Sequence, residues 1–223
     1  MTPLEIYNNL RSYREYDFAS RDAYYRSFGV KTGAEVRIFD MEEHLWILDG
    51  LDDDVNLRRF LAQNGRVYAI PCELPDGTIF AFTLKAVATK AFYKVIVDDK
   101  FPMFFGMGPE FMDFEWGDII CLSEGVKDAL AVKTVWKYSL AYLTSQPDEK
   151  FWNFLLTLTN RVVIFGDNDF AGRKLFRNPE YGFCGKHLVG FKDPGNLWDR
   201  PDLSAKIQEG MRQVIRIYTG DEL

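Results

Sequence analysis

The sequence is poor in soft metal ligands. Its 223 residues hold three cysteines, Cys72, Cys121 and Cys184, and two histidines, His44 and His187. No two cysteines form a Cys-x-x-Cys pair, and a zinc ribbon needs four closely paired ligands, so this chain carries no zinc module. The cysteines read as buried, reduced thiols, and the histidines as packed or surface side chains. A secretory signal is also missing. The opening MTPLEIYNNLRSYREYDF is polar and charged and lacks an apolar h-region. No run approaches the ~20 apolar residues of a membrane span. The expectation is a cytoplasmic protein with no membrane partner, working in the bacterial host cytoplasm if phage-encoded. No Gly-x-x-x-x-Gly-Lys-Ser/Thr occurs, which excludes a P-loop and a built-in helicase motor; GFCGKH at 182–187 does not fit. Internal repeats and low-complexity linkers are absent as well.

Positive charge is short. The net charge is -6 and the pI near 5.1. A protein that grips duplex DNA tightly by itself is usually basic. An acidic total points to weak or transient nucleic-acid contact, or to a partner that supplies the grip. A carboxylate cluster neutralised by bound metal would account for part of the acidity. What the chain has in excess is aromatics, at 16%. They read as a Phe- and Tyr-rich core, with Trp116, Trp136, Trp152 and Trp198 assigned to packing.

The chain divides by its patterning. The first ~40 residues read as helical, with Leu4, Tyr7 and Leu10 on one face and Ile6 beside them. Short strand-like runs follow, VRIFD at 36–40 and HLWILDG at 44–50. DDDVNLRRFLAQNG at 52–65 has acids at its start and Gly65 at its end, as a short helix should. Residues 66–87 form the clearest hairpin, around the turn Leu74-Pro75-Asp76-Gly77. AFYKVIV at 91–97 reads as a further strand, and 98–117 as a connector with buried aromatics.

From Asp118 the pattern becomes β/α alternation. DIICLS (118–123), SLAYLTS (139–145), RVVIFG (161–166) and KHLVGF (186–191) read as buried strands. Helices are expected over 124–137, 148–160, 170–176 and 202–218. The fold class is therefore α/β: a Rossmann-like, mostly parallel sheet with flanking helices, preceded by a smaller α+β lobe. The boundary is placed between 1–115 and 116–223.

In parallel α/β sheets, ligands sit beyond the carboxyl ends of the strands. Two apolar strands here end in acids, one at Ser123-Glu124-Gly125 and one at Gly166-Asp167-Asn168-Asp169. Asp167 and Asp169 are two apart, so both can face one side. Glu124 and Asp128 are four apart and share a helix face. A third strand end runs into Lys192-Asp193-Pro194. Carboxylates so close together are costly unless cations offset them. Hard oxygen donors without His or Cys select Mg²⁺ or Mn²⁺ over zinc, and those ions suit phosphoryl transfer.

CLSEGVKDALAV resembles the Glu-Gly...Asp-Ala motif of TOPRIM domains, which occur in topoisomerases and DnaG-like primases. VVIFGDNDFAGRKL resembles their Asp-x-Asp motif with its trailing Ala-Gly-Arg. FKDPGNLW is similar to the Lys-Asp-Pro-x-Asp element of the primase version, except that Asn196 stands where that family often has an acid. The resemblance implies Asp167 and Asp169 as principal Mg²⁺ (or Mn²⁺) ligands and Glu124 as a ligand or general acid/base. It gives Asp128 and Asp193 as supporting carboxylates.

The half before it narrows the choice. AIPCELPDGTIFAFTLKAV resembles the hairpin in the N-terminal lobe of DnaG-like primases, although Asp76 here directly precedes Gly77. AFYKV and PMFFGM occupy the places of two later segments of that lobe. The resemblance implies a primase catalytic core without zinc-binding and helicase domains, and with it a nucleotidyltransferase. Such an enzyme makes short RNA primers on a single-stranded DNA template from nucleoside triphosphates. Lys85, Lys90 and Lys94, with Arg173 and Lys174, would then bind nucleotide or template. A separate replicative helicase, a zinc-binding specificity factor, or both would be the expected partners. The alternatives are a TOPRIM nuclease hydrolysing DNA or RNA, and a non-catalytic replisome adaptor.

Overall fold

The computed structural model describes residues 1–15, 24–25, 35–51, 54–144, 147–169, 172, 184–185 and 191–219. It contains two sheets. The first is antiparallel, five strands in order β1-β2-β3-β4-β5: β1 (Arg11–Ser12), β2 (Arg37–Asp40), β3 (Arg66–Glu73), β4 (Ile79–Ala86) and β5 (Phe92–Ile96). The second is parallel, in order β7-β6-β8-β9: β6 (Ile120–Ser123), β7 (Ser139–Ala141), β8 (Val162–Phe165) and β9 (Cys184–Gly185). This is the α/β arrangement expected, with a parallel sheet preceded by an antiparallel one.

Local chemistry sets the helix starts. Thr2 caps α1 (Pro3–Asn9) in a reciprocal capping box with Glu5. Asp54 Oδ1 accepts from the Leu57 amide at the start of α3 (Val55–Asn64), and Asp148 Oδ1 from the Phe151 amide at the start of α5 (Glu149–Leu158). The β3–β4 turn closes on Gly77, whose φ of 86° suits only glycine comfortably.

Three expectations are corrected. The run 44–50 is not a strand but part of α2 (Met41–Asp49). Asp40 accepts from the Glu42 amide and starts the helix, and burial then follows helical spacing: His44, Ile47 and Leu48 go inward. Leu45 and Trp46, which a strand reading would have shared between two faces, lie exposed together. The described part of the first 40 residues is α-helical only over α1; beyond it come β1, 3₁₀ turns at 13–15 and 24–25, and β2. Ile6, Tyr7 and Leu10 are buried as expected, but Leu4 is exposed. Trp116 is the third correction. It is 68% exposed, on the turn that precedes β6, whereas Trp152 is buried. The strand expected at 186–191 and the helix at 170–176 lie almost wholly outside the described residues; the fourth parallel strand that is described is β9, just before 186.

The two sheets share apolar cores. One cluster joins Cys72, Phe80 and Ala81 of the first sheet to Ile120, Leu122 and Leu140 of the second. Phe104 lies between them and stacks on Phe154 of α5, centroids 5.0 Å apart. A second cluster packs Ile38, Tyr68 and Ile70 against Ala129, Leu130 and Ala141. Leu130 belongs to α4 (Val126–Lys133), so the antiparallel sheet leans on the helix that follows β6. Cys72 and Cys121 are free, buried thiols, and burial pushes both up; the Cys184 side chain and His187 are outside the described residues. No described helix is long and apolar enough to cross a membrane.

Candidate active site

β6 and β8 run parallel with Ser123 beside Phe165, so both strands end at the same edge of the sheet. The residues just past those ends, Glu124 and Asp167, emerge there together. The Asn168 amide donates to the Lys192 carbonyl at 2.6 Å, tying the loop after β8 to the loop that carries Lys192 and Asp193. Asp169 turns back sharply: its amide donates to the Asp167 carbonyl, and its Oδ1 accepts from the Gly172 amide at 3.0 Å.

Asp128 lies one turn into α4 from Glu124. Its Oδ1 accepts from the Gly195 amide at 2.8 Å, which joins α4 to the loop before α6 (Asn196–Asp199). The fit there is tight. A Cβ on Gly195 would stand 2.6 Å from Asp128 Oδ1 and 3.1 Å from Asp193 Oδ1, and a Cβ on Gly125 would stand 3.0 Å from Asp128 Oδ2. Asn196 takes the position where the motif commonly has an acid, and it donates from Nδ2 to Asp193 Oδ1 at 2.8 Å. It therefore steadies the neighbouring carboxylate instead of adding another.

The acids perturb one another. Burial, then Asp193, push the Asp128 carboxyl up to about 8, with the Gly195 amide opposing. Glu124 is raised by burial, then by Asp167 and Asp169, with Lys192 opposing. Lys192 is raised in turn by its contact with Asp167: Nζ lies 3.0 Å from Asp167 Oδ2 and 3.7 Å from Asp193 Oδ2. The Tyr142 hydroxyl is buried without a hydrogen-bond partner among the described residues and is pushed up first by burial, then by the same carboxylates.

The donor set suits a hard divalent cation: Glu124, Asp128, Asp167, Asp169 and Asp193 supply only oxygen, with the Lys192 ammonium beside Asp167 and Asp193. In the arrangement described, however, the carboxylates are engaged with one another, with Lys192 and with backbone amides. Among the described residues, no three acids, histidines or cysteines converge as a ready-made ligand group.

Beside these acids lies a cavity of about 540 Å³, bordered by both sheets. Glu124, Lys127 and Asp128 line it, as do Thr83 and Lys85 of β4, Lys90 of the turn after β4 and Phe92 of β5. Leu143 also lines it. Its φ of 55° is rare for a branched side chain and costs about 1–3 kcal/mol. Its amide donates to the Glu124 carbonyl at 3.1 Å, so the strained turn is tied to the residue that opens the site.

Known structures share this fold. A DnaG primase catalytic domain bound to single-stranded DNA superposes with a TM-score of 0.64 at 15% identity, over 95% of this chain and 76% of that one. The chain has the fold of a DnaG primase catalytic core. The Aquifex aeolicus primase, crystallised as its zinc-binding and RNA polymerase domains, gives a TM-score of 0.63 at 18% identity, over 95% of this chain but 58% of that one. The RNA polymerase domain of Mycobacterium tuberculosis DnaG, in complex with double-stranded DNA, gives 0.55 at 15% identity over 85% of this chain and 68% of that chain. No family model matches the chain, and no curated protein matches it by sequence.

Within this primase-core fold, the residues singled out from the sequence divide into groups. Glu124 and Asp128 border the cavity together with Lys85 and Lys90. Asp167 and Asp193 meet at Lys192, and Asp167 and Asp169 both act on Glu124. Lys94, opposite Thr83 in the β4–β5 register, is half-buried and is not among the residues bordering the cavity. Arg173 and Lys174 lie outside the described residues. Sequence reasoning gave no role to Lys192, Tyr142 or Thr83. Lys192 had a signal, because it precedes Asp193 in the quoted motif. Tyr142 and Thr83 read as ordinary strand residues.

Proposed function

We propose that the chain is a primase catalytic core that makes short RNA primers on single-stranded DNA by metal-dependent nucleotidyl transfer. The observation that carries this reading is the cavity itself, which Lys85 and Lys90 border together with Glu124 and Asp128. Its lysines suit a triphosphate, and its carboxylates suit the metal that triphosphates carry. The likeness to primase catalytic domains, one of them bound to single-stranded DNA, supports the choice of substrate.

In the reaction, the 3′-hydroxyl oxygen bonds to the α-phosphorus, the bond to the β-phosphate oxygen breaks, and pyrophosphate leaves with that electron pair. The hydroxyl proton needs an acceptor. Glu124, raised by burial and by its acidic neighbours, holds a proton more readily than an ordinary glutamate. Asp167 and Asp169 would hold Mg²⁺ or Mn²⁺, with Asp128 and Asp193 behind them; the ion, when bound, neutralises phosphate charge and orients the reacting oxygens. Lys85 and Lys90 hold the triphosphate against the acidic side.

The experiment is primer synthesis. The protein is incubated with single-stranded DNA, labelled ribonucleotides and Mg²⁺ or Mn²⁺. Short RNA products that vanish in Asp167→Asn and Glu124→Gln are expected. Degraded template without synthesis would replace this reading with a nuclease.

A further inference from the structure

The cavity contains a polar group that the chemistry above does not use. Thr83 borders it, is 8% exposed, and its hydroxyl finds no hydrogen-bond partner among the described residues. Leaving a buried hydroxyl unpaired is costly, and valine would fill the same space without that cost. The wall around it is apolar and aromatic: Ile70, its register partner on β3, together with Tyr24, Tyr25 and Val126. Thr83 and Lys85 are two apart on β4, so they share the face turned to the cavity. Lys85, Lys90 and Phe92 are exposed, toward solvent, whereas Thr83 lies within.

We propose that this cavity receives the base of a nucleoside triphosphate and that Thr83 Oγ1 bonds to the base edge, making Thr83 a specificity-determining residue. The identity of the ligand rests on the nucleotidyl-transfer reading. The chemistry of the pocket supports it independently: a flat aromatic ligand suits walls of tyrosine, isoleucine and valine, and a hydroxyl can both donate to a ring carbonyl and accept from an amino group. About 540 Å³ lies within the range of small-molecule sites. Lys85 and Lys90 then take the phosphates at the mouth. A base whose edge puts no partner at Oγ1 leaves that buried hydroxyl unpaired and binds more weakly.

Calorimetric titration with ATP, GTP, CTP and UTP, each with Mg²⁺, tests this. The wild type should favour some bases over others. Thr83→Val should weaken the favoured nucleotide about threefold to tenfold, the span of one neutral hydrogen bond, and leave the others little changed. Thr83→Ser, which keeps the hydroxyl, should preserve the ranking. Thr83→Val should also raise the Tm of the free protein, which separates lost selectivity from lost folding. Equal constants and rankings in wild type and Thr83→Val overturn the proposal, as does a wild type that binds no nucleotide. If the substitution alters only the binding of a single-stranded oligonucleotide, the base belongs to the strand and the proposal fails. Thr83-dependent selectivity in a protein that makes no primers keeps the base site and removes primer synthesis. Primers made with Thr83→Val at an unchanged base preference do the reverse.

Discussion

Lys192 Nζ stands 3.0 Å from Asp167 Oδ2, on the loop whose carbonyl receives the Asn168 amide. The lysine thus occupies the electrostatic position that a divalent cation would take beside Asp167. Its side chain is 66% exposed, so the pair is screened and contributes at most about 1 kcal/mol. Lys192→Met removes the competing charge. Mn²⁺ binding, followed by electron paramagnetic resonance, should tighten by up to about fivefold in that variant. Weaker binding would show that Lys192 organises the acids instead of competing for them.

Asp128 and Asp193 predict a pH dependence of stability. An aspartic carboxyl titrates ordinarily near 3.8, and in the fold burial and Asp193 push Asp128 up to about 8. A group raised in the folded state favours folding while it keeps its proton. That stability is intact below about pH 4 and is lost progressively as pH rises to about 8. Asp128→Asn keeps the acceptor for the Gly195 amide and removes the charge. With chelator present, its Tm should match the wild type near pH 4 and exceed it increasingly up to pH 8, by an amount worth at least about 1 kcal/mol. Parallel curves across that range would mean that Asp128 ionises freely in the fold.

Much of this was legible in the sequence because buried parallel strands read as unbroken apolar runs. DIICLS contains β6, RVVIFG contains β8, and the acids at their ends follow directly. The run 44–50 reads as a strand because it is dense in large apolar residues, yet it folds as part of α2. The Asp40 cap, outside the run, decides for helix. The cavity was not legible at all. Whether Lys85 or Lys94 faces Glu124 depends on where one sheet lies on the other, and no periodicity reports that. Thr83 and Tyr142 matter through what fails to meet them, a hydroxyl unpaired among the described residues in each case, which no sequence pattern reports.

Gly195 is a steric requirement. Its φ of -61° and ψ of -16° are open to any residue, so backbone conformation alone does not demand glycine there. An added Cβ would stand 2.6 Å from Asp128 Oδ1 and 3.1 Å from Asp193 Oδ1, so the carboxylates would have to shift. Gly195→Ala should destabilise by about 1–3 kcal/mol in chemical denaturation and lower primer synthesis with it. Gly195→Ala combined with Asp128→Ala, which removes the clashing oxygen, should recover most of the stability but not the activity. Equal stability of Gly195→Ala and wild type would mean that the loop shifts freely.

The two exposed lysines of the cavity separate from the third by position. Lys85 and Lys90 border the space that Glu124 closes; Lys94 does not. All three are single positive charges on one β-sheet region, so a general loss of charge would affect them alike. A phosphate contact would not. Lys85→Ala and Lys90→Ala should each raise the KM for nucleoside triphosphate about tenfold, the weight of one charge-assisted contact at about 1.5–3 kcal/mol before screening. Lys94→Ala should leave that KM within about twofold while retaining the wild-type Tm. The comparison is made at two salt concentrations, because a steering effect fades with ionic strength and a direct contact persists. A Lys94→Ala defect equal to that of Lys85→Ala, fading in high salt, would assign all three lysines to long-range attraction and remove the triphosphate contact from the cavity wall.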